Sequence, residues 1–224
     1  MALRGVVFDF DGVLVDSEPL HFRALRGCLL DEGITIDEDE YYARYAAYDD
    51  RTAIRLALEQ HGNPFDGPRV DRVARRKSAL FDELLPGIPF FPGARELVRG
   101  LAREVPLAIA SGALRSEIER ILAAGGLRES FRAVVGAEDV ERTKPDPLPY
   151  ASAVALLARD CPGLRPEDCV AFEDTMAGIA SARAAGLKVV GVTNTYPAEK
   201  LGAAHRVVAS LATVERTELD SLFA

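Results

Sequence analysis

Short uninterrupted apolar runs alternate with longer amphipathic stretches along most of this chain. Residues 6–8, 107–110 and 169–172 are apolar runs of strand length, and 131–135, 188–192 and 205–208 are further, valine-rich strand candidates. Between them, apolar positions recur at helical spacing: Leu97, Val98 and Leu101 after Pro92-Gly93; Ile118, Ile121 and Leu122 before Gly125-Gly126; Tyr150, Val154 and Leu157 after Pro147. A further helix is predicted from Thr175 to the stop at Gly186. Continuous rather than alternating apolar strands mean burial on both faces, as in a parallel sheet covered by helices.

Residues 17–85 break this rhythm. They contain no convincing strand, and Phe22-Leu25-Leu29, Ile54-Leu58 and Val70-Val73-Leu80-Leu84 fall at helical spacing, with Gly33, Gly62 and Gly67-Pro68 as separators. Tyr41, Tyr45 and Tyr48 share one helical stripe, most of which reads as a packed face. The pattern predicts an α/β protein: a Rossmann-like parallel sheet core with helices on both faces, formed by 1–16 and 86–224, and an inserted all-helical domain at 17–85.

Composition narrows the class. The chain has 224 residues, of which 48% are hydrophobic and 28% charged, enough for one substantial core and a smaller second one. A net charge of −8 argues against a nucleic-acid-binding surface. No apolar stretch approaches the ~20 residues needed to span a bilayer, and the first apolar run carries Asp9 and Asp11, unlike a signal peptide. Cys28, Cys161 and Cys169 form no CxxC pair and read as reduced thiols. A cytoplasmic protein with no membrane, nucleic-acid or protein partner is the expectation.

The chemistry concentrates at strand ends. The first strand runs into Asp9-Phe10-Asp11-Gly12, two carboxylates two residues apart, which point to one side of an extended chain. Such a pair suits a divalent cation and a phosphate, one carboxylate attacking and the other moving a proton. The plain alternative is an Asp/Gly turn. A calcium loop fails, because Leu14 and Leu20 stand where it needs Gly and Glu. Later, Ser111-Gly112 closes the second strand, Lys144 precedes two prolines, and Glu173-Asp174-Thr175 closes the run at 169–172. No GxGxxG or GxxxxGK[ST] sequence is present.

This order of motifs resembles the haloacid dehalogenase superfamily, in its phosphoglycolate phosphatase and β-phosphoglucomutase-like branch with a helical cap. The resemblance implies a Mg²⁺-dependent phosphatase acting on a small phosphorylated metabolite through an aspartyl-phosphate. In it Asp9 is the nucleophile, Asp11 the general acid and base, and Lys144 the charge partner of Asp9 and the phosphoryl group. Asp9, Asp174 and the backbone carbonyl of Asp11 hold the metal, with Glu173 behind them. Gly12, Ser111 and Gly112 contact phosphate, and the insert is a cap. His21 and Arg51 are the cap's candidate substrate contacts, with Arg23, Tyr48, Asp49 and Asp50 beside them.

A β-phosphoglucomutase-like phosphomutase is the alternative, since His21 to Leu25 matches the start of that cap. The lysine and asparagine expected soon after Ser111 are replaced by Leu114 and Arg115, however. A phosphate-binding module without catalysis is the third reading.

Overall fold

The computed structural model describes residues 2–46, 48 and 50–223. Strand β1 (Gly5–Phe8) is followed by four helices, α1 (Glu18–Leu30), α2 (Glu38–Arg44), α3 (Asp50–Gln60) and α4 (Gly67–Leu84). Then come α5 (Ala94–Leu101), β2 (Leu107–Ala110), α6 (Arg115–Ala124), β3 (Ala133–Val135), α7 (Leu148–Asp160), β4 (Cys169–Glu173), α8 (Met176–Ala184), β5 (Lys188–Val192) and β6 (Arg206–Val208). The chain divides into two compact units, 1–16 with 89–224, and 17–88.

The first unit is built on a six-stranded sheet in the order β3-β2-β1-β4-β5-β6, and every strand pair is parallel. All residues of β1, β2, β3 and β4 are buried, which is why those runs show no alternation. One core gathers Val7, Ala108, Ala171 and Val189 with Tyr150, Leu157 and Ile179 from α7 and α8. Phe8 stacks on Phe172, centroids 4.9 Å apart, and meets Phe131 edge-on at 6.1 Å. Strands β2 and β4 flank β1, so chain connections leave it in both directions. In open α/β sheets such a crevice at the strands' carboxyl ends is where ligands bind. The chain leaves this unit at Asp16 and returns at Pro89, joined by a hydrogen bond from Asp16 N to Pro89 O of 3.0 Å.

The second unit is helical. Helices α1 and α3 both pack on α4, around Leu25, Leu29, Ile54, Leu58, Val70 and Val73. Gly67-Pro68 stands at the boundary between α3 and α4 and itself opens α4, where proline's missing N–H costs nothing and Asp66 accepts from Arg69 N at 2.8 Å. One detail differs from the sequence reading. The tyrosine stripe is shorter than predicted. Tyr41 and Tyr45 are buried, but α2 ends at Arg44 and Tyr48 lies beyond it, 54% exposed.

Polar clasps join α4 to the turn after α1. Arg69 donates to Glu32 Oε2 through Nε (2.9 Å) and Nη2 (2.6 Å), and Arg72 donates to Oε1 at 3.0 Å. Burial works to raise the Glu32 carboxyl, but the hydrogen bonds and charges of the two arginines outweigh it and hold the group below its ordinary range. A depressed carboxyl contributes stability that is complete above its unfolded value, about 4.3, and is lost as the pH falls through the lower folded value. Glu32→Gln should therefore lower the thermal midpoint near pH 7, with the gap to wild type closing below about pH 4. A gap that persists in acid would assign the effect to packing and not to charge.

Candidate active site

Four loops at the carboxyl ends of β1, β2, β4 and β5 carry the chemistry-bearing residues, together with Lys144 from the segment before α7. Asp9 follows β1 directly and is buried. Its Oδ1 accepts from Phe10 N at 2.7 Å and from Lys144 Nζ at 2.9 Å. Lys144 also donates to Glu173 Oε1 at 2.6 Å, and its ammonium lies 5.1 Å from the centre of the Tyr150 ring. Both Asp9 contacts fall on Oδ1, so among the described residues Oδ2 is the oxygen left to meet a ligand.

Asp9, Glu173 and Asp174 can bring one carboxylate oxygen each within 4.8 Å of the others. Three buried carboxylates face one lysine here, an imbalance that a low-dielectric site does not tolerate uncompensated. Burial pushes the Asp9 carboxyl well above the usual range; Lys144 opposes this, while Glu173 and Asp174 add to it. Burial, with Glu173 as the main repelling charge, lifts Asp174 to about 6 against the hydrogen bond from Thr195. Lys144 moves the other way from its burial: desolvation alone would lower it, and the charges of Asp9 and Glu173 raise it.

The three carboxylates are not equivalent. Glu173 Oε1 accepts from Lys144 and from the buried Tyr150 hydroxyl at 2.8 Å. Its Oε2 accepts from Asp174 N (3.1 Å), Thr175 N (3.2 Å) and Thr175 Oγ1 (3.0 Å). These donors occupy its lone pairs, so proximity alone does not make Glu173 a metal ligand. Asp174 is the opposite case. Its Oδ1 is buried and has no hydrogen-bond partner among the described residues. A buried, unsatisfied carboxylate oxygen beside Asp9 is a fit for a hard divalent cation, which prefers oxygen donors.

Gly12 has φ 75°, and a Cβ there would lie 2.0 Å from Asp174 Oδ2, so the turn and the close approach both require glycine. Asp11 is half-buried in the tight turn 10–15, where Gly12 N donates to Val15 O at 2.9 Å. Ser111 is buried at the end of β2. It does not cap the next helix, which starts at Arg115; its Oγ accepts from Ala113 N at 3.0 Å. Gly112 is exposed, with nothing within 4 Å of a built Cβ. Thr175 caps α8, accepting from Gly178 N at 3.0 Å. Cys28 and Cys169 are buried and free, and burial pushes both thiols up to about 12.

Within the helical unit, Arg51 is exposed and paired with Asp71, Arg23 is exposed, and Asp49 lies outside the described residues. His21 is not isolated. It stacks on Phe81, centroids 4.2 Å apart, and its Nδ1 lies 2.7 Å from Lys77 Nζ. Lys77 is buried and also meets Asp50 Oδ1 at 2.7 Å. Burial first, then the Lys77 charge, lowers His21 to about 4, so near neutral pH Nδ1 accepts the Lys77 hydrogen. Lys77 was missed in the sequence. The available signal was its place in the buried stripe of α4, between Val73 and Phe81.

A family model for haloacid dehalogenase-like hydrolases matches residues 3–186, a span that includes Asp9, Asp11, Ser111, Lys144, Glu173 and Asp174. The chain belongs to this family. It is 31% identical over 212 residues to validoxylamine A 7′-phosphate phosphatase of Streptomyces hygroscopicus subsp. limoneus, covering 93% of this chain and 94% of that one. It is 33% identical over 190 residues to fructose-1-phosphate phosphatase YqaB of Escherichia coli (strain K12), covering 84% and 95%. Among solved structures, CbbY from Rhodobacter sphaeroides in complex with phosphate superposes with a TM-score of 0.74 at 27% identity, over 94% of this chain and 96% of that one.

The packing of Glu173 against α8 makes a distinctive prediction. A Cβ on Gly178 would stand 1.7 Å from Glu173 Oε1. Gly→Ala in a helix ordinarily stabilises by roughly 0.5–1 kcal/mol. Here Gly178→Ala should destabilise by about 1–3 kcal/mol, the usual cost of overpacking. Urea unfolding measures the sign, and a stabilised variant would mean that Glu173 does not occupy this position.

Proposed function

We propose that this protein is a Mg²⁺-dependent phosphatase that hydrolyses a small phosphorylated metabolite, of the sugar-phosphate kind named for its relatives, through an aspartyl-phosphate on Asp9. The observation that carries the reading is the unpartnered buried Oδ1 of Asp174 beside the Asp9–Lys144 pair. Asp9, Asp174 and the backbone carbonyl of Asp11 would hold the ion, and Glu173 serves behind them by fixing Lys144. When bound, magnesium offsets the repulsion between the Asp9 carboxylate and the phosphoryl oxygens.

Asp9 Oδ2 attacks phosphorus as the ester P–O bond breaks, and Asp11 gives its proton to the departing alcohol oxygen. Asp11 then takes a proton from the water that attacks the aspartyl-phosphate, releasing phosphate and restoring Asp9. Lys144 keeps its charge throughout and neutralises the transferring group from the Asp9 Oδ1 side. Ser111 and the amide of Gly112 orient phosphate oxygens, and Gly12, lacking a side chain, lets its backbone approach the phosphate closely. His21 and Arg51 contribute selectivity from the helical unit.

A phosphomutase needs a second site for the non-transferring phosphate. Leu114 offers no charge for one, and Arg115 is committed to Asp139, through Nε at 3.1 Å and Nη2 at 2.7 Å. Those pairings favour hydrolysis over the mutase.

A panel of sugar phosphates assayed with Mg²⁺ tests the function. Activity should vanish with chelator and return with Mg²⁺; full rates in metal-free buffer contradict the reading. Asp9→Asn should fold and lose turnover. Asp11→Asn should lose about 10²–10⁴-fold on sugar phosphates, the usual worth of general acid–base catalysis. It should lose less on p-nitrophenyl phosphate, whose leaving group needs no proton. An equal loss on both substrates would remove Asp11 from the acid role.

A further inference from the structure

The loop after β5 reaches two parts of the site that no strand-end motif connects. Asn194 donates through Nδ2 to the carbonyl oxygen of Gly12 at 2.7 Å. Thr195 donates through Oγ1 to Asp174 Oδ2. A Cβ on Gly12 would lie 2.0 Å from Asp174 Oδ2 and 3.0 Å from Thr195 Oγ1. One oxygen of Asp174 is therefore enclosed between Gly12 and Thr195, while the other, Oδ1, is buried without a partner. The loop itself is anchored by Thr193 N donating to Val208 O at 3.1 Å, which ties it to the end of β6.

We propose that Asn194 and Thr195 are positioning residues that restrict Asp174 to coordination through Oδ1 alone, and so set the preference of the site for Mg²⁺ over Ca²⁺. The inference rests on the reading of Asp174 as a holder of Mg²⁺. A carboxylate with both oxygens open can take a cation in two-oxygen fashion, which Ca²⁺ accepts within its six to eight ligands. Mg²⁺ demands near-ideal octahedral geometry, which one oxygen of each carboxylate supplies better. The Thr195 hydroxyl spends Oδ2 on a hydrogen bond and fixes the rotation of the carboxylate. Asn194 pins the Gly12 peptide, next to the Asp11 carbonyl, so that the first and fourth strand ends are held in register by one loop. Partners behind metal ligands are typically worth 10–100-fold in affinity.

The test is calorimetric titration of the metal-free protein with Mg²⁺ alone and with Ca²⁺ alone. Thr195→Val keeps the side-chain shape and removes the hydrogen bond. Thr195 is at the surface, so the variant should retain its fold, checked by circular dichroism and thermal midpoint. Mg²⁺ affinity should fall by about 10–100-fold and Ca²⁺ affinity by much less, narrowing the ratio between the ions. Thr195→Ser should restore both. In turnover, Thr195→Val should raise the Mg²⁺ concentration needed for half-maximal rate, with little change in kcat at saturation. Equal losses for both ions, or none for either, would overturn the clamp while leaving the phosphatase reading in place. Wild-type protein that binds no Mg²⁺ would overturn both.

Discussion

The shared ammonium of Lys144 is the contact on which the rest of the site depends. It lies 2.9 Å from Asp9 Oδ1 and 2.6 Å from Glu173 Oε1, and it is the cation that the described residues place among three buried carboxylates. One positive charge cannot balance three negative ones where water is excluded. The remaining charge must be met by protons or by a metal ion. The upward displacement of Asp9 and Asp174 is the first of these answers, and the unpartnered Oδ1 of Asp174 is the feature suited to the second.

The sheet makes that concentration of charge possible. Parallel pairing aligns β1 and β4 in register from Gly5 opposite Cys169 to Phe8 opposite Phe172. Their next residues, Asp9 and Glu173, therefore emerge side by side, with Asp174 one step further on. The apolar strands supply the low dielectric, and Phe8 and Phe172, the residues just before Asp9 and Glu173, stack on each other. Glycines supply clearance: the carboxylates of Asp174 and Glu173 occupy the volumes where side chains on Gly12 and Gly178 would be. Folding stability and chemistry meet here, because the groups that make the site reactive are costly to bury without compensation.

The strands β1, β2 and β4 were legible because fully buried strands leave uninterrupted apolar runs, β3, β5 and β6 through their valines, and the helices between them through a clear period. Asp9, Glu173 and Asp174 were legible because each follows an apolar run, and Lys144 because it stands alone before two prolines that open a helix. The structure brings these four into mutual contact range and places Ser111 at the neighbouring strand end. What sequence reasoning missed depends on contacts between distant segments. Asn194 and Thr195 look like ordinary loop residues until the fold brings them against Gly12 and Asp174, partners 182 and 21 positions away in sequence. Lys77 looks like a solvated lysine until α1 and α3 cover its face of α4. The tyrosine stripe failed at Tyr48 because helical spacing does not announce where a seven-residue helix stops. Gly67-Pro68 marked the boundary before α4 because the pair breaks a helix interior and is favourable in a first turn.

The central claim is that Asp9, held by Lys144 and aligned by Glu173, is a nucleophile. Rapid acid quench during turnover of a ³²P-labelled sugar phosphate, followed by peptide mapping, tests it most directly. The account predicts an acid-stable, base-labile phosphoryl group on the peptide that contains Asp9, absent in Asp9→Asn. Label on another residue, or undiminished labelling in Asp9→Asn, would contradict it.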